Sequence, residues 1–328
     1  MKRWVGCAAA MIGLLSSGAA RADAAQDVKD IRAGQLPLRY EWLGWDGAAA
    51  AHFRTLTCSS GGTTTCNAAF VKQAADVPAN ATSLLSVNEV YCGKDGPCTA
   101  IDWATVTRFA AAEKTALAAL PATTKTAAEK DPLHLFGPIA GEATKLEVRA
   151  RDVSRGPDDA PHLQVELVVR GKGGASETLG VLDSHVYRLE GSKIRDVFVA
   201  PDKQTAAIVV ETNVGVMCWS FDGLSTVGTN LPRHKASLAN TIGFAAWKSG
   251  DMTAALAGFT EATRLDATLG LGWYNRAAVE SRTGDLAAAK TSFDAALAIN
   301  PLFATRACKD PDFAKLRTAQ PALFSCKP

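Results

Sequence analysis

Apolar residues recur at helical spacing between Ser237 and Pro301, and the pattern comes twice. Trp247-Lys248-Ser249-Gly250-Asp251-Met252 is followed by Ala254-Ala255-Leu256, Phe259 and Ala262. Thirty-four residues on, Gly284-Asp285-Leu286 is followed by Ala288-Ala289, Phe293 and Ala296, then Asn300-Pro301. Each unit predicts two helices joined at a glycine, where the missing Cβ permits a tight reversal. Asp251 and Asp285 follow as helix N-caps, and Pro301 ends the second unit. Asp310-Pro311 starts a further short helix that lays Phe313 and Leu316 on that unit.

Upstream the period shifts from helical to alternating. From Lys145 to Phe221, Leu146, Val148 and Ala150 alternate with charged neighbours, as do Leu163, Val165 and Leu167. Further runs cover 179–182, 186–189, 194–199, 206–211 and 214–221, separated by Gly, Asp and Ser turns, which predicts an antiparallel sandwich or barrel. Nearer the start, strands are expected at 38–43, 51–58 and 84–91. A helix capped by Asp102 is expected from Trp103 to Leu120. Pro121 to Pro132 lacks any period and reads as a linker or exposed loop.

The two helical units resemble tetratricopeptide repeats over residues 237–301. Gly250 maps to Gly284, Ala255 to Ala289, Phe259 to Phe293 and Ala262 to Ala296 without insertion, with small Gly243 and Ala277 at the eighth position. The resemblance implies a groove lined by the first helix of each unit. It would place Asn240, Phe244 and Lys248 of the first unit, and Tyr274, Asn275, Ala278 and Arg282 of the second, against a partner peptide. Lys248 and Arg282 would suit an acidic segment or a C-terminal carboxylate. Two units are fewer than such stacks need, so the preceding sheet is expected to cover the exposed end near Ile242.

Residues 1–22 read as a secretory signal, with Lys2 and Arg3 before the apolar run 5–15 and Ala20-Arg21-Ala22 as the cleavage site. The chain carries 35 basic and 33 acidic residues; without Lys2, Arg3 and Arg21 the balance is near neutral, which argues against nucleic-acid binding. No other run reaches the apolar length of a membrane helix. Of eight cysteines, Cys7 lies in the leader. In an exported protein the rest are read as disulfides first. Local pairing of Cys58 with Cys66, Cys92 with Cys98 and Cys308 with Cys326 is expected, though four of these can pair crosswise and connectivity stays open. Cys218 is left as a buried thiol within the strand 214–221. The four N-terminal cysteines are spaced too widely for a zinc knuckle.

Little catalytic chemistry is visible. The five histidines, His52, His134, His162, His185 and His234, are scattered and read as loop-edge residues. Asp183 and His185 would share one strand face, yet no nucleophile motif accompanies them. Trp42, Trp45, Trp103 and Trp219 read as core. The sequence therefore describes an α+β protein in four parts. They are a signal peptide (1–22), a disulfide-bearing strand and helix region (23–130), an antiparallel β-rich domain (131–232) and a small helical repeat domain with a C-terminal cap (233–328). The expected role is a non-enzymatic, cofactor-free protein-interaction module, exported to the periplasm of a Gram-negative bacterium or secreted, that meets a protein or peptide of the cell envelope. The alternative is a β-domain that binds a small ligand or envelope polymer, with the repeats as a stabilising appendage.

Overall fold

The computed structural model describes residues 24–32, 38–47, 49–60, 64–90, 103–132, 135–154, 162–171, 173–216 and 219–326. The leader, Cys92, Cys98, His134 and Cys218 lie outside the described residues. The fold is mixed α+β, with three antiparallel sheets preceding a C-terminal helical region.

Helix α1 (Ala24–Arg32) precedes a first sheet of β1 (Leu38–Asp46), β2 (Ala50–Ser60), β3 (Thr64–Ala74) and β4 (Asn80–Val90), paired in sequence order. Helix α2 (Trp103–Ala118) follows. An outer sheet joins β5 (Thr144–Asp152), β6 (Leu163–Gly171) and β7 (Ser176–Val186), and a central sheet joins β8 (Arg188–Val199), β9 (Thr205–Val216) and β10 (Trp219–Asn230).

The central position of the last sheet follows from β9. Thr205 to Val210 are six consecutive buried residues, the pattern of a strand covered on both faces. Ala206, Ile208 and Val210 pack with Leu146, Leu167, Val169 and Leu179 of the outer sheet. On the other face Ala207, Val209 and Phe198 meet Trp45, Ala51, Phe53 and Val71 of the first sheet. Trp42 stacks on Phe198 with ring centroids 4.3 Å apart. The first sheet turns Leu56, Cys58, Cys66 and Ala68 away from this core toward Ala24 and Ile31 of α1 and Phe109 of α2. Cys58 and Cys66 are cross-strand partners in β2 and β3 and form a disulfide; a second joins Cys308 and Cys326.

Several sequence expectations change here. The expected strand 214–221 spans a reversal: Val216 pairs with Trp219, so its two halves belong to β9 and β10. The segment 121–132 is no free linker. Trp45 and Thr124 exchange backbone hydrogen bonds at 2.9 Å, Trp42 Nε1 donates to the Thr126 carbonyl at 3.0 Å, and Glu129 N donates to the Val197 carbonyl at 2.7 Å. It is a strap along β1 and β8. Strand β3 went unread because Ala68 and Ala69 interrupt its alternation.

The helical region begins without a linker. Asn230 ends β10 and caps α3 (Leu231–Lys248), its side chain accepting from Arg233 N, with Pro232 in the first turn. Leu231, Leu238, Ala239 and Ile242 on α3 enter the same apolar cluster as the outer and central sheets. The sheet thus covers the end of the helical stack at Ile242. Helices α4 (Met252–Leu265), α5 (Gly270–Thr283) and α6 (Leu286–Ile299) complete two hairpins. Asp251 and Asp285 accept from Ala254 N and Ala288 N as N-caps, and Gly284 closes α5 with a left-handed φ of 101°. At the far end α7 (Phe303–Arg306), a 3-10 turn at Pro311–Phe313 and α8 (Ala314–Ala319) lay fully buried Phe313 and Leu316 against Tyr274, Phe293 and Ala296.

Candidate functional site

The residues singled out on α3 and α5 divide into an open half and a closed half. On α3, Phe244 is 40% exposed, the side of its ring stacked on Trp247 with centroids 5.3 Å apart. Lys248 Nζ stands 4.7 Å from the Phe244 ring centroid, a cation–π arrangement. The spacing of three and four residues brings these side chains together on one face. Asn240, one turn earlier, accepts from Asn275 Nδ2 of α5 at 2.9 Å, which ties the two first helices together.

The α5 half is occupied by the chain's own C-terminus. Tyr274 is 1% exposed and packs against Phe303 and Phe313, each at 4.9 Å. Its hydroxyl donates to Asp310 at 2.8 Å. Burial, and then the Asp310 carboxylate, raise the Tyr274 phenol far above its ordinary value. Ala278 is buried as well. Neither residue presents a side chain to a partner, contrary to expectation, because the cap needs their surface for its own core. Arg282 pairs with Asp312 Oδ1 at 3.2 Å, and Trp247 Nε1 donates to Asp312 Oδ2 at 2.8 Å. Lys315 donates to the Arg282 carbonyl. Asp312 therefore spans from α3 to α5 and pairs with Arg282, whereas Lys248 has no carboxylate partner among the described residues. The sequence identified Asp310 as a cap but gave no sign that Asp312 reaches Trp247, 65 residues away.

The histidines also differ from expectation. His52 and His234 are buried, not loop-edge residues. Burial and then the Lys72 charge lower the His52 pKa. His52 Nε2 has no hydrogen-bond partner among the described residues. Asp183 accepts from Ser184 N; the side chain of His185 lies outside the described residues, as do those of Trp103 and Trp219. Among the described residues no three His, Cys, Asp or Glu side chains gather as a metal site, and no helix is long and apolar enough to cross a membrane. No protein-family model matches the chain, and no curated protein or solved structure matches it.

Proposed function

We propose that this is an exported, non-enzymatic interaction protein whose helical region is a pair of tetratricopeptide-type repeats. It takes a protein or peptide partner of the cell envelope on the open α3 face. The observation that carries this reading is the Phe244–Trp247–Lys248 cluster. An aromatic side chain held out in solvent by a stacking neighbour is the kind of rigid anchor that dominates interfaces. Lys248 beside it selects an acidic or carboxylate-bearing segment, since among the described residues no carboxylate pairs with it as Asp312 does with Arg282. Export is supported by the two disulfides, which persist in oxidising compartments, and by the leader pattern in the sequence. The β layers are filled by Trp45, Phe53, Leu167 and Ile208 and serve in this reading as the platform on which α3 is mounted.

The pair of changes Phe244→Ala and Lys248→Glu tests the reading without touching the Asp312 cap. Both positions are exposed, so folding stability should shift by less than about 0.5 kcal/mol each. Removal of an interface anchor costs about 2 kcal/mol or more, roughly thirtyfold in affinity. Recovery of partners from envelope extract by the variant should fall accordingly while circular dichroism is unchanged. Equal recovery of the same proteins by folded variant and wild type rules this face out.

A further inference from the structure

Three segments far apart in the chain meet at His234. The side chain lies in the first turn of α3 and is buried, the residue being 9% exposed. Ring Nε2 is 2.8 Å from Asp76 Oδ1, in the turn between β3 and β4, and Nδ1 is 3.1 Å from Glu177 Oε1 on β7. Both acceptors are held in place. Asp76 N donates to the Gly228 carbonyl of β10 at 2.9 Å, Asp76 Oδ1 also accepts from Asn230 N at 3.1 Å, and Asp76 Oδ2 faces Arg233 at 3.4 Å. The other Glu177 oxygen accepts from Ser237 Oγ at 2.8 Å.

Ionised carboxylates only accept, so the two contacts together require an N–H on each ring nitrogen. The imidazolium supplies both; the neutral ring supplies one and turns a lone pair toward the other carboxylate. Among the described residues the charged groups against the ring are Asp76, in the turn after β3, and Glu177 of the outer sheet, with Arg233 of α3 on the far oxygen of Asp76. Lys235 turns instead toward the Phe136 ring, 5.9 Å away, and Arg170 of β6 is engaged with Glu147. From β10, the neutral Asn230 reaches Asp76 through its backbone N–H, and Thr226 donates to Gln73 of β3 at 3.0 Å.

We infer that His234 is a proton-dependent clamp: doubly protonated, it fastens the start of α3 to both the first and the outer sheet, and loss of its proton loosens the helical region from them. Burial opposes the charged ring, but hydrogen bonds to Glu177 and Asp76, and their charges, outweigh it and raise the His234 pKa above its ordinary value. A raised folded-state pKa sets the sign. The clamp is fully in place below the unfolded value of about 6.5 and is lost as pH rises through the higher folded value. Such a device ties the mounting of the α3 face to ambient pH within the range where histidine titrates.

The experiment is native-state hydrogen exchange on the full chain between pH 5.5 and 8.5, corrected for intrinsic exchange, reading amides 238–242 of α3 against amides 206–210 of β9 as internal control. In the wild type, α3 protection relative to β9 should fall as pH rises across the range, following the titration of a single group. In His234→Gln, which keeps one donor and cannot charge, relative protection should be flat and at the loosened level. If that variant does not fold, Asp76→Asn takes its place, with the His234 ring followed by NMR. The ring pKa should then fall and the pH dependence of α3 should shift down with it. Constant α3 protection in the wild type, or an unaltered pH dependence in the substituted protein, overturns the clamp.

Discussion

Replacing Arg54 with methionine is expected to cost about 3–5 kcal/mol of folding stability, because it strands carboxylates in a buried layer. Arg54 is 1% exposed between β2 and the N-terminal helices. Its guanidinium bonds Asp27 Oδ2 of α1 at 2.6 Å and, through Nε, Glu113 of α2, while its Cζ lies 5.4 Å from the Phe109 ring centroid. Asp27 keeps Arg39 as a second partner at 3.0 Å, so Glu113 carries most of the loss. Burial already raises the Glu113 pKa against the pull of Arg54, and removing that cation raises it further. A carboxyl with a raised folded pKa favours the folded state on the acid side and opposes it as pH rises through that pKa. The deficit should therefore be larger at pH 7.5 than at pH 5. Urea unfolding at both values measures it, and a deficit under about 1 kcal/mol at pH 7.5 would mean that Arg54 does not hold the helices to the first sheet.

Gly258→Leu should destabilise the chain by about 3 kcal/mol by driving the first helical hairpin apart. A Cβ at Gly258 on α4 would sit 2.6 Å from the Gly243 Cα and 2.7 Å from the Gly243 backbone nitrogen on α3. The obstacle is backbone, so no side-chain rotation relieves it. Leaving glycine in a helix interior gains about 1 kcal/mol of propensity, which is the smaller term. Thermal unfolding decides: a variant as stable as the wild type would show that α3 and α4 do not approach through these glycines. Gly243 and Gly258 thus meet backbone to backbone in this hairpin, with Ala255 buried beside them.

Legibility in the sequence tracked how local the stabilising contacts are. The helices α3 to α6 were readable because their apolar period, their aspartate caps and their turn glycines all lie within a few residues of one another. The first half of β9 was readable because its segment buried on both faces, Ala206 to Val210, is one apolar run, whereas its end at 214–216 was merged with β10. Strand β3 was not readable, since alanines pack well in a cross-strand pair without standing out as strand formers. The strap at 121–132 was not, since it is held through backbone groups that any residue supplies. For the candidate site, Phe244 and Lys248 were expected on one face of a first helix from the resemblance of the helical units to tetratricopeptide repeats. The closure of the α5 half was not expected, because it depends on a C-terminal segment returning across both helices through Asp312. The His234 junction was furthest out of reach: its two carboxylates lie 57 and 158 residues away in the chain.

Photocrosslinking from position 244 decides whether the α3 face meets a partner. A photoreactive phenylalanine analogue placed at Phe244, and in a control at exposed Thr260 on α4, would be irradiated in intact producing cells. A discrete adduct from position 244 that is absent from position 260, and that is lost when Lys248→Glu is added, is the outcome the structure leads us to expect. No adduct from position 244, or the same adducts from both positions, would contradict a binding role for this face.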